Sequence, residues 1–142
     1  MKPVSELLKR RDSSLFQVSP DATVFEGLQQ LARHGVGAML VMQDEKLVGI
    51  FSERDYTRKI ALEGKNSRNV KVADIMTSQI VSVTPATGTR VCMTLMSQKR
   101  IRHLPVMDGD NVLGLISIRD IMDDIIADHE QTISHLQNYI SG

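Results

Sequence analysis

The stretch Gly49-Ile50-Phe51-Ser52-Glu53-Arg54-Asp55 returns 65 residues later as Gly114-Leu115-Ile116-Ser117-Ile118-Arg119-Asp120. Gly, Ser, Arg and Asp keep their positions in the two copies, and the repetition extends without a gap over residues 18–60 and 83–125. A period of this length indicates one supersecondary unit that is built twice, with each unit relying on its neighbour to bury apolar surface. The duplication therefore sets the architecture before any local pattern is considered.

Each copy carries the pattern of a helix, a two-stranded hairpin and a second helix. In the first copy, Thr23 followed by Glu26 is typical of a capping box, and the helix that it starts should end near Gly35. The apolar runs 38–42 and 47–51 flank a polar turn and predict a buried hairpin. The second copy repeats these signals without the capping box. The sequence therefore predicts an α/β protein of the α+β kind, with a small sheet in each repeat.

The composition argues against several classes of partner. Among 142 residues, 17 Lys and Arg balance 17 Asp and Glu, so no bulk charge draws the chain to nucleic acid or to an anionic membrane. No apolar run approaches the roughly 20 residues that span a bilayer. A single cysteine, Cys92, excludes an intramolecular disulfide and favours a reducing compartment. We therefore predict a cytoplasmic protein with no nucleic-acid and no membrane partner.

Apolar stripes flank the two copies. Val4, Leu7 and Leu8 form a short stripe near the N-terminus, and a longer one runs along a helix that is predicted to reach about residue 140. Both stripes need cover, either from each other or from a second subunit. The predicted units are an N-terminal helical flank at 1–15, a first repeat at 16–62, a connector at 63–78, a second repeat at 79–128 and a C-terminal helical extension at 129–142.

The Ser-x-x-Asp sequence at the end of each hairpin has two interpretations, which do not exclude each other. In the first, Ser52 and Ser117 cap helices, and their Asp partners occupy the third helical position, where a carboxylate suits the helix dipole. In the second, the carboxylates of Asp55 and Asp120 accept hydrogen bonds from ribose hydroxyls at a strand-to-helix corner. The return of the motif, with Gly three residues before each Ser and Arg before each Asp, favours ligand binding.

These features together resemble a pair of CBS motifs, named after cystathionine beta-synthase, and the resemblance covers nearly the whole chain. The stretches that carry it are 18–24, 48–56, 72–77 and 101–106. The run 53–59, followed by Gly64-Lys65 and Asp74-Ile75-Met76, further resembles a subgroup of small stand-alone CBS-pair proteins related to inosine-monophosphate dehydrogenase. That relation concerns a shared accessory module and implies no dehydrogenase activity.

The resemblance implies two repeats packed about a pseudo-twofold axis, with an adenosyl ligand such as AMP, ADP, ATP, NAD or S-adenosylmethionine in the clefts between them. Asp55 and Asp120 would hold ribose hydroxyls, with Ser52 and Ser117 near the ribose or phosphate. Backbone groups would contact the adenine edge, at Val18, Ala38 and Met39 in one cleft and at Val81, Val83, His103, Leu104 and Pro105 in the other.

The copies differ at the start of their hairpins, where Arg102-His103 in the second aligns with Gly37-Ala38 in the first. Cationic and imidazole donors that suit phosphate therefore occur only once at these positions. We predict that the cleft with Asp120, Ser117, Arg102 and His103 is the better nucleotide site. Further phosphate candidates, which are otherwise solvated charges on helix surfaces, are Arg54, Arg58, Lys59 and Arg119.

No residue pattern supports catalysis. Gly35-Val36-Gly37 begins like a dinucleotide fingerprint, but the third glycine is missing and the segment enters a strand. The four histidines lack metal-ligand spacing with cysteine, and Cys92 lies in an apolar helical pattern that favours a core position. We predict no catalytic residue, no metal and no catalytic cofactor.

The predicted function is that of a homodimeric sensor. A nucleotide would shift the balance between arrangements of the repeats or subunits, and an unknown protein effector on another chain would respond to the shift. The alternative is a structural, protein-interaction or dimerisation module without a ligand. A small nucleotide-processing enzyme is the third possibility.

Overall fold

The computed structural model describes residues 2–9 and 15–141. A single π-helical turn, Thr57–Ala61, continues the short helix Glu53–Tyr56. The helices and strands follow one another as α1 (Val4–Lys9), β1 (Gln17–Val18), α2 (Val24–His34), β2 (Ala38–Gln43), β3 (Lys46–Ser52), α3 (Glu53–Tyr56), α4 (Val72–Ile75), α5 (Thr89–Lys99), β4 (His103–Asp108), β5 (Asn111–Ser117) and α6 (Ile118–Ser141).

The two repeats contain antiparallel hairpins with the same register. β2 and β3 pair Ala38 with Ser52, and β4 and β5 pair His103 with Ser117. Both ladders carry an irregularity at the same step, after the fourth residue of the first strand. The hairpins and their two-residue turns confirm the prediction from the apolar runs.

Each hairpin is joined by a third segment on its first strand. β1 pairs in parallel with β2 through Val18 and Val41, and Val83 makes an isolated parallel bridge to Val106 at the equivalent place in the second repeat. Each repeat therefore has its own small sheet with helices around it, which confirms the α+β fold class.

The helices that precede the hairpins begin differently and end alike. Thr23 Oγ1 accepts from the Glu26 N–H at 3.1 Å, and the Glu26 carboxylate accepts from the Thr23 N–H at 3.2 Å. α5 begins after Gly88 with no side-chain cap, so both predictions about helix starts are confirmed. Gly35 is the C-cap of α2 and Arg100 is the C-cap of α5, and both residues have a left-handed backbone, with φ of 64° and 55°.

The N-terminal helix completes the core of the second repeat. Val4 and Leu7 are buried there beside Ile121, the first fully buried residue of α6. The Val4 N–H donates to the Thr87 carbonyl at 2.8 Å, which fixes α1 against this repeat. The N-terminal apolar stripe is therefore covered within the chain.

The connector between the repeats completes the core of the first repeat. Val72 and Ile75 of α4 are buried in the first core, and the Val72 N–H donates to the Ala22 carbonyl at 2.8 Å. Ala22 lies 65 residues before Thr87, so α1 and α4 make equivalent contacts on the two repeats. The pseudo-twofold arrangement thus includes the flanks as well as the repeats.

The last helix is one continuous element of 24 residues, α6, as its apolar stripe predicts. Its first turns contribute to the second core, but further along, Met122, Ile126, Ile133 and Leu136 are each more than half exposed. Within the described part of the chain, no helix is both long and apolar enough to cross a membrane.

Candidate functional site: two clefts between the repeats

The Ser-x-x-Asp motifs form reciprocal caps at both strand-to-helix corners. Ser52 donates to Asp55 Oδ2 through its N–H at 3.2 Å and its hydroxyl at 3.0 Å, and its Oγ accepts from the Asp55 N–H at 3.1 Å. The corresponding distances for Ser117 and Asp120 are 2.7, 3.0 and 3.2 Å. The capping interpretation is therefore confirmed, and each cap uses one carboxylate oxygen.

The residues before each hairpin lie beside these corners. The Gly37 carbonyl accepts from the Glu53 N–H at 3.0 Å, and the Arg102 carbonyl accepts from the Ile118 N–H at 2.8 Å. A Cβ built on Gly37 would lie 4.0 Å from the His103 ring, so the two hairpin starts face each other between the repeats. The corners consequently open onto the interface between the two halves.

One cavity of about 580 Å³ contains the Asp120 corner. It has the more apolar lining of the two, from side chains such as Phe16, Val36 and Leu115. Of the sequence-predicted site residues, it brings together Ser117, Asp120, Arg119, Arg102, His103 and Ala38. We call it the Asp120 cleft.

The second cavity, of about 750 Å³, contains the Asp55 corner and is rich in cations. Of the sequence-predicted site residues, it brings together Ser52, Asp55, Arg54, Arg58, Arg102, His103 and Val81. We call it the Asp55 cleft. Both volumes lie within the range of about 300–1,000 Å³ that is usual for small-molecule sites.

The division of backbone segments between the clefts differs from the one expected. Ala38 lies with Asp120, and Val81 lies with Asp55. The physical reason is the pseudo-twofold packing, which sets the strand start of one repeat against the helix corner of the other. Arg102 and His103 line both cavities, so their absence from the first repeat does not by itself make the clefts unequal.

Five residues that were expected at the adenine edge lie outside both cavity linings. They are buried in the cores of the repeats: Val18, Met39, Val83, Leu104 and Pro105. The backbone of Val83 is already used, because its N–H donates to Pro105 at 3.0 Å and its carbonyl accepts from Met107 at 2.8 Å.

The Asp55 carboxylate is buried in a small polar network. Besides the two contacts from Ser52, its Oδ1 lies 3.4 Å from Thr77 Oγ1 and 3.6 Å from Lys59 Nζ. Lys59 also donates to the Ile75 carbonyl at the end of α4, at 2.8 Å. The network joins the corner to the connector between the repeats.

Sequence reasoning missed Thr77 and Arg100, which both line the Asp55 cleft. A signal existed for Arg100, since the same position in the first repeat is Gly35, the left-handed helix end. Thr77 belongs to a stretch that carries the family resemblance, but its contact with Asp55 depends on tertiary packing.

Cys92 lies in the core, as its helical pattern predicts, and burial raises the pKa of its thiol. A raised pKa keeps the thiol protonated near neutral pH, which opposes a nucleophilic role. No group of three or more His, Cys, Asp or Glu within residues 2–9 and 15–141 is placed to hold a metal ion.

The profile of the CBS domain matches residues 4–62 and 72–127, once for each repeat. The chain belongs to the CBS domain family, as a tandem CBS pair, which is a regulatory module.

Known relatives agree with this assignment. The chain is 35% identical over 148 residues to the mitochondrial CBS domain-containing protein CBSX3 of Arabidopsis thaliana, covering 98% of this chain and 72% of that protein. A solved structure of a protein with CBS domains from Burkholderia ambifaria has a TM-score of 0.86 at 38% identity, covering 89% of this chain and 96% of that one. Inosine-5′-monophosphate dehydrogenase of Methanocaldococcus jannaschii is 35% identical over 74% of this chain, which spans only 20% of the enzyme.

Proposed function

We propose that this chain is a sensor that binds an adenosyl ligand, AMP, ADP, ATP or NAD, in the clefts between its repeats and thereby modulates a protein effector. The observation that carries the proposal is the position of the two Ser-x-x-Asp corners. Each corner lines a cavity of nucleotide size. In each cavity, the corner of one repeat lies beside the segment that precedes the hairpin of the other repeat. A carboxylate at the wall of such a cavity suits the paired hydroxyls of a ribose.

A structural neighbour with this fold was solved with adenosyl ligands. The CBS domain pair of protein MJ0100, solved in complex with 5′-methylthioadenosine and S-adenosyl-L-methionine, has a TM-score of 0.78 at 19% identity. At that identity the likeness supports a shared fold. The adenosyl ligand of the present chain is our inference from its own corners and cavities.

The arrangement of the clefts indicates how a ligand would act. Each cavity has walls from both repeats, so a bound molecule contacts both at once. A ligand shifts a conformational equilibrium only when its affinities for the two conformations differ. A molecule that contacts both repeats binds more weakly to a conformation in which the repeats have moved apart, so it favours the conformation in which they are close. The effector would then recognise one relative position of the repeats.

The test is calorimetric titration of AMP, ADP, ATP, NAD and S-adenosylmethionine into the wild type and into the variants Asp55→Ala and Asp120→Ala. Loss of a charge-assisted ribose contact should weaken binding by about ten- to a hundredfold, from roughly 1.5–3 kcal/mol per contact. Glu26→Ala is the matched control, because it removes the equivalent carboxylate from a capping box that lines neither cavity. That variant should lose stability and keep its ligand affinity.

The proposal fails if no adenosyl ligand binds, or if both aspartate variants bind as the wild type does while their melting temperatures fall. The second result would leave a module in which Ser-x-x-Asp only caps helices.

We further infer a homodimer, because the apolar side chains exposed along α6 form one stripe. A stripe of this kind also favours the alternative function, a protein-interaction module. The cytoplasmic location and the absence of catalysis remain predictions from the sequence.

A further inference from the structure

Basic side chains converge on the Asp55 cleft from both repeats. Its described lining includes five Lys or Arg residues against two acidic ones, whereas the described lining of the Asp120 cleft has three against one. One of the two acidic groups, Asp55, already has Lys59 3.6 Å away. The remaining cations of the Asp55 cleft are Arg54, Arg58, Arg100 and Arg102.

The difference in the number of basic residues between the two clefts arises at equivalent positions of the two repeats. Arg58 and Lys59 in the π-helical turn correspond to Asp123 and Asp124 in α6, so the charge reverses between the copies. The second of these acids, Asp124, is turned into the core and lies 3.8 Å from Lys2 Nζ. Both clefts therefore have more basic than acidic residues in their described linings, but the cluster of four arginines occurs only in the Asp55 cleft and does not follow from the duplicated fold.

Arg100 occupies a backbone position that favours glycine. Its φ is 55°, and the equivalent residue Gly35, with a φ of 64°, adopts the same left-handed conformation without a Cβ. A non-glycine residue in this region is held at a cost, and such residues concentrate at functional sites. Here the residue at that position lines the Asp55 cleft.

Arg54 connects the two walls. Its guanidinium donates to the Arg100 carbonyl at 3.2 Å, which places a cation of the first repeat against the helix end of the second. Like charges gathered in this way repel one another, and a chain of phosphoryl oxygens between them would remove that repulsion. Arginine pairs suit this role because each guanidinium can donate two hydrogen bonds to a phosphoryl group.

We propose that the Asp55 cleft is selective for a polyphosphate chain, which makes its ligand a nucleoside di- or triphosphate. The nucleoside part of this assignment rests on the proposed function, whereas the polyphosphate part rests on the cations alone. The chain of phosphoryl groups lies between Arg54 and Arg58 of the first repeat and Arg100 and Arg102 of the second.

The experiment is titration of tripolyphosphate, ATP, ADP and AMP without divalent cations, at low and at high salt. ATP should bind about tenfold or more tightly than AMP, and this ratio should shrink as the salt concentration rises. The variants are Arg100→Gly, which keeps the left-handed backbone, and Arg58→Gln. Each should weaken ATP and tripolyphosphate binding about fivefold or more and weaken AMP binding less, because AMP carries a single phosphoryl group.

Two controls separate the site from general charge. Arg119→Gln removes the equivalent of Arg54 from the Asp120 cleft, and Arg33→Gln removes an exposed charge that lines neither described cavity. Neither should change tripolyphosphate binding by more than about twofold.

The outcomes distinguish this proposal from the proposed function. If tripolyphosphate binding depends on Arg58 and Arg100 while no adenosyl ligand binds, the polyphosphate assignment stands and the proposed function fails. If ATP and AMP bind equally, or if ATP binding depends on Arg119 and not on Arg100, the polyphosphate assignment is overturned and the proposed function stands. If neither tripolyphosphate nor any nucleotide binds, both are overturned.

Discussion

At the scale of single residues, the two carboxylate oxygens of Asp55 have different partners: one caps a helix, and the other lies near the connector and a lysine. Oδ2 accepts the two contacts from Ser52, and Oδ1 lies near Thr77 and Lys59. Under the proposed function, a ribose hydroxyl that bonds to Oδ1 would compete with these two side chains. We therefore expect ligand binding in this cleft to alter the contact between Lys59 and the end of α4.

A second residue-scale consequence concerns Cys92. Burial raises the pKa of its thiol, so the folded protein keeps the proton to a higher pH than the unfolded chain, where the pKa is about 8.5. Its stabilising contribution is complete below that unfolded pKa and is lost as the pH rises toward the folded value. Wild type and Cys92→Ala should therefore differ less in free energy of unfolding at pH 9.5 than at pH 7, as measured by urea titration. A constant difference would contradict this prediction.

At the scale of elements, two glycines show how closely the flanking helices approach the hairpins. A Cβ on Gly49 would lie 2.5 Å from Met76 Sδ and 3.0 Å from the Thr77 carbonyl, whereas a Cβ on Gly114 would meet mainly the flexible end of Leu8, at 2.7 Å. We expect Gly49→Ala to cost about 1–3 kcal/mol and Gly114→Ala clearly less, because a side-chain tip moves more easily than backbone. Chemical denaturation measures both, and equal costs would contradict the ranking.

The elements also show what the sequence could predict. The capping box of Thr23 and Glu26, the two hairpins and the Ser-x-x-Asp corners are local patterns, and the structure contains all of them. The duplicated register predicts two sheets of the same design. These features follow from residues that are close in the chain, where spacing decides the contact.

Which residues line each cleft depends on how the two repeats pack together. Ala38 faces the Asp120 corner and Val81 the Asp55 corner because the two repeats cross, and no local pattern states which strand start meets which corner. The aligned copies did contain the charge reversal at Arg58 and Asp123 and the exchange of Gly35 for Arg100. Their meaning depends on which side chains line each cavity, and that requires the packed structure.

At the scale of the whole molecule, the exposed stripe on α6 predicts self-association. Met122, Ile126, Ile133 and Leu136 recur at helical spacing and share one face, each more than half exposed. Fully burying a side chain of this kind contributes about 1.5–3 kcal/mol, so the stripe can offset much of the cost of association when a second copy covers it. Val4 and Leu7 of the N-terminal stripe are already covered within the chain.

We therefore expect the wild type to sediment as a dimer and the double variant Ile126→Glu with Ile133→Glu to sediment as a monomer. A carboxylate at the centre of the stripe would lose its hydration in the dimer without gaining a partner. Since both positions are exposed in the single chain, the variant should keep a cooperative unfolding transition. The matched control is Leu62→Glu, which places the same charge at a side chain that is 77% exposed outside α6, and it should remain dimeric. A monomeric wild type, or a double variant that still sediments as a dimer, would show that α6 does not join two copies of this chain.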